Sequence, residues 1–143
     1  MRQKKLILLL LVIFFVTGIC FALTVQFFLI KDVRIVYAEF NVTDHIGLVG
    51  DIDALRFGGL IVPSSSMKDM KIEMEQDAFV FVKATGPIKD FLYITGPSRF
   101  SVRKGEIRMV EFTVEVPDNT TLGKREGTVY FYFVHPIARY FFE

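Results

Sequence analysis

An all-β sandwich carried on one N-terminal transmembrane helix is the fold class that the sequence predicts, on three observations. Leu6 to Ile30 contains no charged residue. From Val33 onward apolar and polar residues alternate, the period of a strand lying on a core. The alternating stretches are short and separated by Gly- and Pro-rich elements, with no amphipathic helix to serve as the crossover of a parallel sheet.

The uncharged run is long enough for a helix of roughly 37 Å, against a hydrocarbon core of roughly 30 Å. A cleaved signal peptide has a shorter apolar region, about 7–15 residues. Cleavage near Gly18 or Cys20 would also leave Phe21 to Ile30 dangling and apolar, so an uncleaved anchor is expected over residues 6–30, in contact with the lipid bilayer. Arg2, Lys4 and Lys5 precede the run with no acid beside them, whereas Lys31 and Arg34 follow it together with Asp32. The positive-inside bias then places residues 1–5 in the cytoplasm and the rest of this single-pass chain outside the plasma membrane. Gly18 and Ala22 share a helix face at the spacing that lets two membrane helices pack closely, and Gln26 is expected at the outer headgroups. Cys20 is the only cysteine and lies in the apolar run, so the outer domain is held by packing rather than by a disulfide. Ile19 stands where a lipidated cysteine is normally preceded by a small residue, which leaves Cys20 as a small hydrophobe in lipid.

Residues 31–136 are read as the sandwich. Val36, Ala38, Phe40 and Val42 alternate with Tyr37, Glu39 and Asn41. Ile46 to Val49 and Ala54 to Phe57 are short strands, followed by turns at Gly58-Gly59 and Pro63-Ser64-Ser65-Ser66. Met70, Ile72 and Met74 alternate with Lys71, Glu73 and Glu75. Ala78 to Ala84 is a strand ended by Gly86-Pro87, Ile88 to Thr95 is less regular, and Arg99 to Arg103 is short. Ile107 to Val116 has the cleanest alternation, with Val110, Phe112, Val114 and Val116 on one face. A loop from Pro117 to Gly127 leads to a last strand, Thr128 to His135. Sixteen Phe and five Tyr with no Trp suit an aromatic-rich β core.

Arg56-Phe57-Gly58-Gly59, Ile88-Lys89-Asp90-Phe91-Leu92-Tyr93, Val114-Glu115-Val116-Pro117, Asn119-Thr120-Thr121-Leu122-Gly123 and Glu126-Gly127-Thr128 together carry a likeness. Over about residues 56–133 the chain resembles a family of immunoglobulin-like domains found in archaeal cell-surface proteins and beside glycosidase modules. The resemblance implies that the sandwich is immunoglobulin-like; together with the apolar run, the expected fold class is an all-β immunoglobulin-like sandwich preceded by a single N-terminal transmembrane α-helix. In it Pro117 stops a strand and Gly123 permits the turn back toward its neighbour. The family often has Tyr two residues after that Gly, where this chain has Arg125. Members serve as spacers, adhesion modules and complex subunits, and fold alone does not choose among these.

The residues offer little chemistry of other kinds. Beyond residue 30 acids slightly outnumber bases, and no basic cluster is present, so no nucleic-acid partner is expected. His45 and His135 have no nearby Cys or His at ligand spacing. Asp51, Asp53, Glu73, Glu75 and Asp77 read as solvent-facing acids rather than as calcium ligands. Ser64-Ser65-Ser66 lacks the small-residue elbow of a serine hydrolase. No catalytic residue, cofactor or metal is expected. Asn41 and Asn119 head N-glycosylation sequons, on the outward face of a strand and in a loop.

The aromatic pattern is the most informative. With Val80 and Val82 inward, Phe79 and Phe81 face out; with Val129, Phe131 and Phe133 inward, Tyr130 and Tyr132 face out. In an immunoglobulin-type arrangement the strands bearing them would flank Met109, Glu111 and Thr113 in one sheet. The apolar tail of residues 137–143, with Ile137, Tyr140, Phe141 and Phe142, folds over this surface as a lid or joins it as a partner surface. The expectation is a noncatalytic membrane-anchored binding or accessory subunit that meets a membrane or surface protein. A carbohydrate- or envelope-binding module with an exposed aromatic platform is the alternative. A pilin-type filament subunit would carry an acid early in its apolar helix, and none is present.

Overall fold

The computed structural model describes residues 2–45, 47 and 54–142. α1 (Arg2–Leu29) forms where the chain is continuously apolar. In lipid a helix satisfies every backbone polar group within itself. Its two threonines follow the same rule, since the hydroxyls of Thr17 and Thr24 donate to the carbonyls of Ile13 and Cys20, at 2.8 Å each. Lys5–Thr24, with mean hydropathy 3.1, is long and apolar enough to cross a membrane.

No linker follows. α1 hands the chain at Leu29 directly to β1 (Ile30–Val42), three residues before the alternating pattern starts at Val33. The other strands are β2 (Leu55–Leu60), β3 (Ser64–Glu73), β4 (Ala78–Thr85), β5 (Leu92–Thr95), β6 (Arg99–Val102), β7 (Ile107–Val116) and β8 (Gly123–Val134). A 3₁₀ turn at Pro87–Asp90 precedes β5; a second, Pro136–Ala138, leads into the short α2 (Arg139–Phe142). Among the described residues the strands form a five-stranded sheet, β2-β1-β8-β4-β6, and a three-stranded sheet, β3-β7-β5. The fold is thus mostly β, with one apolar N-terminal helix.

β1 and β8 pair antiparallel along almost their whole length, from Ile30 opposite Val134 to Val42 opposite Gly123. Both sheets turn alternate residues onto one core. Phe112 of β7 meets Phe131 of β8 edge to face at 5.9 Å, and Phe40 meets Phe91 at 5.4 Å. Two arginines close the helix-proximal end of this core. The Arg34 guanidinium lies 5.1 Å from the Phe133 ring centre, and that of Arg108 lies 4.6 Å from Phe100.

Several expected elements are corrected. Gly58-Gly59 lies inside β2: Glu39 pairs with Arg56 but Asn41 pairs with Gly59, and Gly58 at φ 78° absorbs the extra residue. Ser64-Ser65-Ser66 belongs to β3, because Val116, Glu115 and Val114 of β7 pair with it. The last strand starts at Gly123 rather than Thr128, since residues 123–127 continue the ladder with β1. The expected strand over Ile46 to Val49 lies mostly outside the described residues; Gly47 bridges Gly59.

Gly123, at φ 128°, does make the turn into β8, and Arg125 secures the preceding loop. Its guanidinium donates to the Thr121 hydroxyl at 2.9 Å and to the Thr121 carbonyl at 3.3 Å. Gly127 has a different reason to be glycine. A Cβ there would stand 2.1 Å from the Thr85 carbonyl oxygen and 2.6 Å from Ile88 Cγ2. Gly127→Ala is therefore expected to cost about 3 kcal/mol through overpacking. Gly105→Ala, at φ 73° with open space around it, should cost about 1 kcal/mol. Urea denaturation of the full chain in detergent, followed by circular dichroism, measures both; equal losses would refute this account of Gly127.

Candidate functional site

β7 does not lie between β4 and β8. Its apolar face meets that of β8 across the core, so the two strands belong to opposite sheets, and Met109, Glu111 and Thr113 point away on the far side. β4 and β8 are direct neighbours, and this brings the outward aromatics closer together than the expected arrangement would.

The outer face of the five-stranded sheet is built in registered rows. Val33, Tyr132, Phe81 and Arg99 stand side by side across β1, β8, β4 and β6. The next row, further from α1, holds Ile35, Tyr130 and Lys83, and the one after it Tyr37, Thr128 and Thr85. Tyr130 and Tyr132 stack with ring centres 6.0 Å apart and planes 16° apart. Phe81 is half-buried and takes the Arg99 guanidinium at 5.7 Å. Val33 is exposed, and Ile35 is 66% exposed. Large aliphatic side chains on the solvent side of a central strand leave an apolar patch. The sequence signal for this part of the face is parity: Val33 and Ile35 share the outward parity of Tyr37.

Closest to α1, the face is covered. Phe79 is 5% exposed and packs with Val134, Ala138, Leu29 and Phe81 in a small second core. Phe79 therefore is not an open contact residue, because the 3₁₀ turn Pro136–Ala138 folds back over it. The lid stops there, leaving Tyr130 and Tyr132 partly exposed. Ile137 and Tyr140 are exposed, and the side chains of Phe141 and Phe142 lie outside the described residues.

At the far end the face becomes charged. Glu39 and Glu126 are directly opposite on β1 and β8, a like-charge pairing that destabilises a sheet by itself. Lys124 bridges them, with Nζ 2.7 Å from Glu39 and 3.1 Å from Glu126. Arg56 adds a second cation 3.3 Å from Glu39, and the Tyr37 hydroxyl donates to Glu126 at 2.7 Å. The Lys124 hydrogen bond holds the Glu39 carboxyl below its ordinary pKa. Glu126 is lowered by the Tyr37 hydroxyl and then by Lys124. The same contacts raise Tyr37, chiefly through Glu126, and Lys124, chiefly through Glu39.

The remaining candidates are dispersed. Gly18 and Ala22 lie on α1, and apart from its own helix nothing among the described residues lies within 4 Å of where a Gly18 Cβ would stand. The side chain of Gln26 lies outside the described residues, as do Asp51 and Asp53. Asn41 is exposed on β1 and Asn119 in the turn after β7. His45 contacts Asp44 at 2.6 Å, while His135 Nδ1 accepts from the Ile137 N–H at 3.4 Å and caps the 3₁₀ turn. Among the described residues no group of three His, Cys, Asp or Glu is placed to hold a metal ion. Where the two sheets part next to α1, a cleft of about 1270 Å³ is lined by Asp32, Arg34, Lys71, Glu73, Glu75 and Lys104. Asp32 and Arg34 occupy the inward parity of β1, so the apolar core ends between Arg34 and Val36.

The charged cluster sets a pH dependence. Lowered carboxylate values mean stability that is present above the ordinary glutamate range, about pH 4.3, and lost as pH falls through the folded values. The raised Tyr37 and Lys124 values mean stability present below about pH 10 and lost as pH rises through theirs. The melting temperature should hold a plateau between these limits. Lys124→Met should lower that plateau and converge with the parent chain only on the acid limb, where Glu39 and Glu126 become protonated, as read by melts from pH 2 to 9. A constant offset at every pH would refute the cluster's role. Comparison of the chain with protein-family models, with curated proteins and with solved structures finds no match to any of them.

Proposed function

We propose that the protein is a noncatalytic, membrane-anchored accessory or binding subunit with its β domain outside the cytoplasm, and that the outer face of the five-stranded sheet docks another membrane protein. The observation that carries this reading is the apolar row system Val33, Ile35, Tyr130 and Tyr132, which rises directly from the end of α1. At about 3.4 Å per strand residue, Ile35 stands at most roughly 20 Å beyond Leu29. A partner reaching that height most readily is one that shares the bilayer. The patch has the makings of an interface centre: two stacked tyrosines, an exposed isoleucine, and a charged rim at Glu39, Lys124 and Glu126.

The same geometry weighs against the carbohydrate-binding alternative. Tyr130 and Tyr132 turn their ring faces toward each other, whereas a sugar platform needs ring faces open to the ligand. The immunoglobulin-like likeness of the domain belongs to the same proposal; it fits a two-sheet subunit. The cytoplasmic placement of Arg2, Lys4 and Lys5 does so too.

The test is gentle detergent extraction from native membranes, tagged co-purification and quantification of stoichiometric partners. Ile35→Glu combined with Tyr130→Gln should lower recovery of the partner at least about tenfold, each change costing on the order of 2 kcal/mol at an interface centre. Both positions lie outside the core, so the melting temperature should stay near that of the parent. Unchanged recovery with a folded domain would defeat the docking face. A solitary parent chain after extraction would defeat the subunit reading and direct attention to glycans of the envelope.

A further inference from the structure

The residues after β8 fold into a compact foot under the sheet. The His135 N–H donates to the carbonyl of Leu29, the last residue of α1, at 2.7 Å. The 3₁₀ turn Pro136–Ala138 then tucks Ala138, fully buried, against Phe79, Val134 and Leu29. One side of this foot is thus consumed by the domain and by the end of α1. The other side is open: Ile137 is 56% exposed and Tyr140 is 82% exposed, with the cation of Arg139 also exposed between them in the chain.

The position of the foot relative to a bilayer follows from α1. Its 28 residues make a helix roughly 42 Å long at 1.5 Å per residue, against a hydrocarbon core of roughly 30 Å. If α1 spans from Leu6, about 20 residues fill the hydrocarbon, and Leu29 emerges among the headgroups. The bond from His135 holds the foot at that level. Tyrosine is enriched in this zone, where the ring sits among acyl chains and the hydroxyl reaches water and headgroups.

We propose that the segment from Ile137 to Phe142 is a second, interfacial membrane contact, in which Ile137 and Tyr140 insert into the headgroup layer of the bilayer that α1 crosses. The occupant of this surface is lipid, because it lies one hydrogen bond from the end of a helix long and apolar enough to span a bilayer. The inference rests on α1 spanning the bilayer. It does not depend on the docking face.

The chain has no tryptophan, so a single introduced indole reports its own surroundings. The full-length protein carrying Tyr140→Trp, Phe14→Trp or Tyr93→Trp would be reconstituted alone into phosphatidylcholine vesicles whose acyl chains are brominated at shallow or deep positions. Phe14 is exposed in the middle of α1, and Tyr93 is exposed on the outer face of the three-stranded sheet. Phe14→Trp should be quenched best by deep bromines and Tyr93→Trp by neither. Tyr140→Trp should be quenched by shallow bromines, with emission shifted to the blue of Tyr93→Trp. Quenching at Phe14→Trp with none at Tyr140→Trp overturns the foot alone. Absence of quenching at both overturns the foot together with the span. Since lipid is the only other component, a protein partner cannot produce the signal.

Discussion

The long ladder between β1 and β8 is the constraint on which the rest of the structure depends. β1 is at once the continuation of the apolar helix and an interior strand of the larger sheet, paired on one side with β2 and on the other with β8. A helix end normally leaves carbonyls without partners; here the chain leaving β8 returns to bond the carbonyl of Leu29. The β domain is therefore joined to the helix through hydrogen-bonded backbone rather than through a flexible tether. The position of each outward side chain along β1 and β8 is then set by its distance in residues from Leu29.

That single ladder orders the outer face into zones. Nearest the helix, Phe79 and Val134 are sealed by Ala138. Then come the open apolar rows with the tyrosine pair, and last the cluster in which Lys124 separates two facing glutamates. The inner face follows a parallel sequence, from the charged cleft at Asp32 and Arg34 to the phenylalanine core beyond Val36. Arginine suits the boundary because its stem and guanidinium plane cover an aromatic ring while its donors face water.

Much of this was legible in the residues. The apolar run named the helix, and the alternation around Phe40, Ile72, Val80, Phe112 and Phe131 named strands and inward faces, because burial on one side of a pleated strand writes a period of two. Sheet membership was not legible. The period says which residues face a core, and β7 and β8 share one from opposite sides, so alternation alone cannot tell a neighbour from a strand across the core. Glycines misled for a related reason. Gly58 and Gly127 looked like punctuation, yet one absorbs a bulge inside β2 and the other clears space for Ile88, needs set by partners distant in sequence. The burial of Phe79 depends on a tail nearly sixty positions away, and no local pattern records it. The parity of Asp32, Val33, Arg34 and Ile35, by contrast, did carry the end of the core and the start of the outer patch.

The direct handover from Leu29 to Ile30 also has a mechanical consequence. A domain on a loose tether turns freely about the membrane normal, so its azimuth carries no information about the helix beneath it. Here the sheet is keyed to the helix like a blade to a shaft. No loop separates the bearing of the tyrosine pair from that of Gly18 and Ala22: β1 follows α1 directly, and the His135 N–H bonds the last carbonyl of the helix. Anything that grips both levels must match that one angle, and a single residue inserted at the junction would turn the blade by about 100° on the shaft.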